Sequence, residues 1–521
     1  MKPFKIILFL LVFSLSFIEL KSQQQVKIPW PSLANSPWPV LRGDMQGTGR
    51  SEYIGPRTNN VIWRKDMPLG VIYGPVIGYD DNLYMGERAL SLDTVNYFYC
   101  LDKDGNNKWT FETETSYANN VGPLIGSDST IYFGSRNNNL YAMEFNGQNK
   151  WISPNLRIGL QLFISIALNG DLFIPAWDTI NVVSQSGILK KKIAVQDLWI
   201  RGIVFSPSGD TMYYFDGGGQ GINAPGNLHS SDLEGNNYWT IHLDSHNWGT
   251  PLIDNQNKIY IFGRDTSLSK SFLYCFKPNG SVDWKYEIFS YNLYTGPTMD
   301  KNGNIIFHAF LIINGVQKSV IISLDYYGNL NWITTLDLGI NIFDNWINHE
   351  LVCDAEGKVY CGSSNGPYFY CLDSDGTILW TLDIGDLEYD SCPAIGSDGT
   401  LYIGSHISST FPYHTQNLIA VKDKPNSISE YTVVNEYNLF QNFPNPFNPS
   451  TVINYAVKEA GLVRLKVYDI LGAEVAELVN ETKEAGNHTI EFNASQLPSG
   501  VYIYTLQVNG FTGSKKMLLM K

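Results

Sequence analysis

Basic residues, histidine and cysteine are all scarce in this sequence. It holds 8 His and 6 Cys in 521 residues, and 36 Lys and Arg stand against 50 Asp and Glu. The formal net charge is −14, with no basic stripe to offset it. Neutralising phosphates takes clustered Lys and Arg, so nucleic acid is not an expected partner. The acidity reads as a source of solubility. No C-x-x-C, C-x-x-C-H, H-E-x-x-H or Walker-type loop occurs. The usual signatures of thiol redox, haem, zinc-protease and nucleotide chemistry are therefore missing. Long apolar runs are missing too. The run from Ile6 to Ile18 in "MKPFKIILFLLVFSLSFIELKSQQQ" is short, whereas a bilayer span takes about 20 residues. Preceded by Lys2 and Lys5, it reads as the core of a signal peptide, residues 1–22, with Gln23 first after the cut. The mature chain is expected to carry no transmembrane segment.

Aromatics and glycine are plentiful: 13% of residues are Phe, Trp or Tyr, and there are 46 Gly. That composition favours strands and tight turns. The strings "FYCLDKDGNNKWTF" at 98–111, "LYCFKPNGSVDWKY" at 273–286 and "FYCLDSDGTILWTL" at 369–382 share one plan. Each is an apolar strand, a polar turn with Gly, and a strand with Trp four residues after that Gly. The series comprises Trp63, Trp109, Trp151, Trp239, Trp284, Trp332 and Trp380, with Lys191 standing where one Trp is due. From 63 to 380 there are seven steps, a mean of (380 − 63)/7, or about 45 residues, the size of a four-stranded propeller blade. A second pattern accompanies the first, as in "GPVIGYDDNLYMG" at 74–86, "GPLIGSDSTIYFG" at 122–134 and "CPAIGSDGTLYIG" at 392–404. It too recurs eight times, as two short strands about an acidic or Asn-Gly turn. The last apolar strand, 417–423, lacks a Trp strand after it, and the first Trp strand, 61–65, lacks a partner before it. The two are expected to pair and close a ring, because a closed ring leaves only short, protected edges. The Trp series is read as packing within and between blades.

The repeat resembles the PQQ-like, or quinoprotein-dehydrogenase-like, eight-bladed propeller superfamily over residues 36–424. "SPWPVLRGDMQGTGRS" at 36–51 is similar to that family's lead-in, with residues 23–35 as an extension before it. The resemblance implies fold and leaves function open, since the fold hosts enzymes, scaffolds and binding proteins. Its enzymes bind pyrroloquinoline quinone and calcium beside a vicinal Cys pair and an Asp base. No Cys pair is adjacent here and no Asp matches that base, so no cofactor is expected. "DKDGNN" from Asp102 and "DSDGTI" from Asp373 begin like calcium loops, but their sixth and twelfth places hold Asn107 and Thr113, and Ile378 and Ile384. An EF-hand needs Gly and Glu there, so both read as hairpin turns and no metal site is assigned. His229, His242 and His246 are read as surface or core residues. Cys100, Cys275 and Cys371 fall at one place in three repeats and read as buried free thiols, while a Cys353–Cys361 bridge across one hairpin is an open alternative.

Aromatics precede most copies of the second pattern: Tyr73, Tyr117, Trp199, Trp248, Tyr294, Trp346 and Tyr389, with Arg201 and the polar Asn119, Asn120, His246, Asn345 and Asp390 nearby. In PQQ-like propellers this connection leads into the innermost strand. Tyr73, Tyr117, Trp199, Arg201, Trp248, Tyr294, Trp346 and Tyr389 are the candidate ligand-binding residues, for a carbohydrate or a protein. Flat rings suit stacking and polar neighbours suit orientation. The alternative is that the rings only cap blade cores.

A polar linker, 425–436, leads to a different pattern at 437–521. Alternation around Val463, Leu465 and Val467, with Gly at turns, predicts a small β-sandwich. The strings "NFPNPFNPST", "VYDILGAEV", "LPSGVYIY" and "KKMLLMK" closely resemble the type A C-terminal sorting domain of the type IX secretion system. Asn442, Pro444, Asn445, Pro446, Pro449, Gly472 and Gly500 carry that resemblance. It implies secretion or display at the outer surface, with the type IX machinery as partner. The expected whole is all-β, an eight-bladed β-propeller followed by a small Ig-like β-sandwich. Its expected role is that of a monomeric, non-catalytic secreted or cell-surface binding or scaffold propeller. The alternatives are a quinoprotein-type oxidoreductase, a polysaccharide-active enzyme, and a surface adhesin or assembly scaffold.

Overall fold

The computed structural model describes residues 23–67, 74–86, 96–113, 121–135, 137–158, 162–176, 178–195, 200, 202–217, 226–243, 249–265, 270–288, 296–336, 350–362, 367–384, 392–405, 417–424, 437–442 and 445–520. The chain divides into two compact units, Met1–Asp423 and Lys424–Lys521.

The first unit is a β-propeller. Its described residues form eight four-stranded antiparallel sheets, seven of them in simple chain order. The first blade is Val76–Ile77, Leu83–Gly86, Asn96–Leu101 and Asn107–Thr113. Burial follows strand position. The inner strand and the second strand, such as Leu83–Gly86, are buried throughout, while the outer strand Asn107–Thr113 alternates and faces solvent on one side. Short apolar runs thus become central strands, and period-two strands become the rim. The eighth sheet closes the ring as the unmatched strands predict. Val61–Asp66 pairs antiparallel with Asn417–Val421, placing Trp63 opposite Ala420 and Asp66 opposite Asn417.

The Trp residues join each blade to the next. Trp63 Nε1 donates to Lys103 O at 3.0 Å, Trp109 to Phe145 O at 2.8 Å, Trp151 to Gln185 O at 2.9 Å and Trp332 to Ser374 O at 2.9 Å. Trp239 and Trp284 reach Pro278 O and Tyr326 O in the same way. Each accepting carbonyl lies in the turn between the third and outer strands of the next blade. The glycine of that turn lies flat on the indole, so a Cβ on Gly147 would stand 2.8 Å from Trp109 and one on Gly376 2.6 Å from Trp332. These glycines also have positive φ, 88° and 87°, so space and backbone both demand glycine. Lys191 keeps the function of the Trp it replaces, its ammonium donating to Leu233 O at 2.8 Å. Trp380 faces the closing blade, which has no such turn, and donates to Pro56 O at 3.2 Å instead.

The second unit is a sandwich. One sheet is Asn438–Leu439, Ser450–Val457 and Gly486–Asn493, and the other runs Glu474–Lys483, Gly461–Tyr468, Gly500–Val508, Phe511–Leu519. Tyr455, Val463, Leu465, Val467, Tyr504, Leu506 and Leu519 fill the space between them.

Candidate functional site at the loop-bearing face

Antiparallel strand order gives a propeller two unlike faces. Turns between strands one and two, and between three and four, leave from one face. Connections between strands two and three, and from strand four to the next blade, leave from the other. On the first face the turns are tight and self-satisfied. Asp102 Oδ1 accepts from the amides of Asp104 at 3.0 Å and Asn106 at 2.8 Å, and Gly105 takes φ 83°. Asp254, Asp300 and Asp354 make equivalent turns. These are side-chain turns that need no ion; among the described residues no group of three or more His, Cys, Asp or Glu is placed to hold a metal.

The N-terminal segment closes this tight-turn face. Residues 23–56 run across it and over the axis. The last residue of six inner strands donates its backbone N–H to this segment. Ile77 bonds Trp38 O at 2.8 Å, Ile125 bonds Pro39 O at 2.8 Å and Phe205 bonds Met45 O at 3.0 Å. Ile253 bonds Gln46 O at 2.9 Å, Met299 bonds Thr48 O at 3.0 Å and Cys353 bonds Gly49 O at 2.8 Å. In a seventh blade Ile166 N approaches Met45 Sδ at 3.3 Å. Inner strands lack a neighbour toward the axis, and their bare N–H groups would otherwise be buried unpaired. The segment supplies the missing acceptors, one blade after another.

Arg42 pins this floor. Its side chain is 2% exposed. Nε donates to Gly47 O at 2.9 Å, Nη1 meets Glu350 Oε2 at 2.5 Å, and Nη2 donates to Pro297 O. Glu350 and Pro297 precede inner strands, so the guanidinium reaches from the floor to the level where the loop-bearing face begins. A Cβ on Gly296 would stand 2.5 Å from Arg42 Nη1 and 2.6 Å from Thr250 O. Every guanidinium nitrogen is engaged, which suits a structural pin. The sequence reading missed Arg42, Glu350 and the role of residues 23–56. The signal available was the lead-in string, 36–51, which shows no strand alternation.

The candidate ligand-binding residues Tyr73, Tyr117, Trp199, Arg201, Trp248, Tyr294, Trp346 and Tyr389 lie outside the described residues, as do Asn119, Asn120, His246, Asn345 and Asp390. All fall between an outer strand and the next inner strand. Two described pieces of such connections, Val121–Gly122 and Leu162–Phe163, pair in parallel. Other singled-out residues are engaged within the fold. His229 stacks on Tyr214 and its Nε2 lies 2.9 Å from Asp216 Oδ2, while His242 Nδ1 lies 3.0 Å from Asn227 Oδ1. All six cysteines are buried thiols. Cys353 pairs with Val359, two residues short of Cys361. That diagonal spans roughly 7–8 Å, beyond the reach of a disulfide. Burial pushes the Cys100 thiol up to about 12, and Asp80 adds to the shift. Cys275 and Cys371 are raised by burial as well, so none of these three is a poised nucleophile.

In the second unit the sorting strings knit the sandwich together. Asn442 is buried; its N–H bonds Tyr504 Oη at 2.6 Å and its Nδ2 donates to Thr451 Oγ1 at 2.9 Å. Asn445 Nδ2 donates to Lys516 O at 3.3 Å and its Oδ1 accepts from Leu518 N at 2.8 Å. Phe447 continues the seam, N to Leu518 O at 2.9 Å. Pro446 and Pro449 follow Asn445 and Asn448 in this entry segment, and Pro444 lies outside the described residues. Gly472 takes φ 82° at a hairpin tip, and Gly500 opens a strand with open space where a Cβ would be.

The secretion system C-terminal sorting domain family matches residues 441–520. No curated protein matches the chain. Among solved structures, BamB from Moraxella catarrhalis is similar at 13% identity and TM-score 0.48, covering 70% of this chain and 99% of that one. The Dos1 propeller is similar at 10% identity and TM-score 0.49, covering 70% and 95%. Hydrazine synthase of Kuenenia stuttgartiensis is similar at 13% identity and TM-score 0.38, covering 63% and 98%. Among the described residues no helix is long and apolar enough to cross a membrane. The chain is thus a β-propeller joined to a secretion system C-terminal sorting domain, and it is exported by type IX secretion to the cell surface or beyond.

Proposed function

We propose that the propeller is a rigid, non-catalytic binding platform, displayed outside the cell, whose loop-bearing face takes a carbohydrate or protein ligand. The observation that carries this reading is the asymmetry of the two faces. One is occupied by tight turns and by residues 23–56, pinned through Arg42 and Glu350. The connections that carry Tyr73, Tyr117, Trp199, Trp248, Tyr294, Trp346 and Tyr389 belong to the other. An aromatic-rich set of loops on a bolted scaffold suits stacking of sugar rings or of peptide side chains. Within this reading residues 1–22 are removed on export, 36–424 form the platform, 425–436 link it to the tail, and the mature protein is a monomer.

The test is a triple variant, Trp199→Ala, Trp248→Ala and Trp346→Ala, compared with the native protein on a glycan array and in pull-downs from outer-membrane fractions. The ligand retained by the native protein is expected to be lost with unchanged thermal unfolding. Unchanged binding by the folded triple variant would refute the assignment of these residues. Turnover of alcohols or polysaccharides by the purified protein, with or without added quinone and calcium, would refute the non-catalytic reading.

A further inference from the structure

One turn occurs in both units with the same geometry and opposite surroundings. At Asp469–Ala473 the Asp469 Oδ1 accepts from Leu471 N at 2.9 Å and Ala473 N at 2.9 Å, and Gly472 takes φ 82°. The propeller turn at Asp232 is alike, with Glu234 N at 2.9 Å, Asn236 N at 2.8 Å and Gly235 at φ 92°. Asp325 makes it again with Tyr327 N, Asn329 N and Gly328. In the propeller the residue after the Asp is a docking residue. Its carbonyl accepts from the neighbouring blade: Leu233 O from Lys191, and Tyr326 O from Trp284. Where its side chain is apolar or aromatic, it packs. Leu233 lies against the core, Tyr326 is buried, and Phe145 in the related turn at Glu144 sits 5.2 Å from Tyr84 and 4.7 Å from Tyr79, ring to ring.

Ile470 occupies that docking position in the tail and is 73% exposed, and Leu471 beside it is 88% exposed. The turn itself requires Asp469 and Gly472 and is indifferent to the two residues between them. Elsewhere in the sorting strings Asn442 and Asn445 commit their side chains to bonds within the sandwich, Asn442 buried in it and Asn445 against its last strand. The Ile470–Leu471 pair has no such employment. A preorganised turn holding two apolar side chains in water is a ready anchor, because little ordering entropy remains to be lost on docking.

We propose that the Asp469–Ala473 turn is the docking knob by which the export machinery recognises this tail. Its occupant is an apolar pocket on a machinery component, with a hydrogen-bond donor at the rim for the Ile470 carbonyl, repeating the blade-to-turn contact of the propeller. The inference rests on the reading of residues 441–520 as a sorting domain.

The experiment follows the full chain in its secreting cell. Ile470→Asp with Leu471→Asn leaves Asp469 and Gly472 in place and gives the turn the polar character of the propeller's Asp102 turn. The expected result is a fall of at least about tenfold in the exported fraction, with folded protein accumulating in the periplasm and its thermal unfolding unchanged. Ile470→Thr and Leu471→Gln, milder changes at exposed positions, are each expected to reduce export, and Ile470→Val to restore most of it. Native-level export of these variants, alongside retention of a chain lacking 437–521, would overturn the knob while sparing the sorting reading. Native-level export of the truncated chain would overturn both. Dimerisation of the native protein in sedimentation, abolished by the same substitutions, would assign the knob to a second copy and also overturn the proposal.

Discussion

At the scale of residues, the propeller depends on a few buried polar contacts whose loss is costly in specific ways. Arg42 and Glu350 form an ion pair away from water. Removing one partner strands a charge, and that costs about 3–5 kcal/mol. Glu350→Gln and Arg42→Ala are each expected to lower the unfolding free energy read from urea titration by that amount, with Gly296→Ala acting through the same contact. A double replacement, Arg42→Met with Glu350→Leu, is expected to recover much of the loss, which would show that the pair is costly to break more than valuable to have. The indole bonds give a finer graded test. Trp332→Phe loses the bond to Ser374 O, about 1 kcal/mol, and part of the indole's packing, and is expected to cost less than Trp332→Ala, which removes the whole ring at about 3–5 kcal/mol. The buried thiols set a pH dependence. With its folded value raised to about 12, Cys100 stays neutral in the native state while the unfolded thiol ionises near 9. Its contribution to stability is therefore complete below about pH 8.5 and is lost as pH rises toward 12. Urea midpoints measured across that range are expected to fall less steeply in Cys100→Ala.

At the scale of elements, closure and floor come from one stretch of chain. Residues 23–56 satisfy inner-strand donors, Pro56 accepts from Trp380, and Val61–Asp66 completes the eighth blade. Removing residues 57–66 would leave Asn417–Val421 with a bare edge, and such edges recruit other chains. The truncated protein is expected to run as oligomers in sedimentation, and a permutant carrying 57–66 after residue 424 to run as a monomer. How much of this was legible in the sequence follows from how each element is built. The blades repeat, so Trp and Gly at fixed spacing revealed their number and the unmatched ends at 61–65 and 417–423. Lys191 was visible as a gap, yet its bond to Leu233 O was not, because a Lys can snorkel to a carbonyl only where geometry provides one. The floor was illegible because residues 36–51 have no period: Trp38, Pro39, Met45, Gln46, Thr48 and Gly49 answer to six different blades. The role of Arg42 was illegible, since nothing local announces a partner at position 350. The aromatics before the inner strands were legible only as a pattern of composition.

At the scale of the whole molecule, the propeller and the sorting domain are separate compact units. The fold is read in the repeat and the route at the chain's ends, and the two units use their side chains differently. The propeller consumes its turn residues in blade-to-blade contacts, whereas the tail holds Ile470 and Leu471 out to solvent. A tail that is read as a folded surface must keep its fold up to the moment of recognition. Asn445 is the sharpest probe of that requirement, because its amide both donates to Lys516 O and accepts from Leu518 N. Asn445→Ala leaves two backbone groups of the last strand without these partners, at about 1–3 kcal/mol. The tail is small, with a core limited to the residues between two short sheets, so that loss is a large part of its stability. The propeller shares none of those contacts and is expected to keep its own unfolding transition. In calorimetry the variant should therefore show one lowered transition and one unchanged. Its export should fall with rising temperature, tracking the population of folded tail. Export of Asn445→Ala that stays at the native level above the lowered transition would mean that the machinery reads the strings unfolded, and the geometry of the tail would then be irrelevant to sorting.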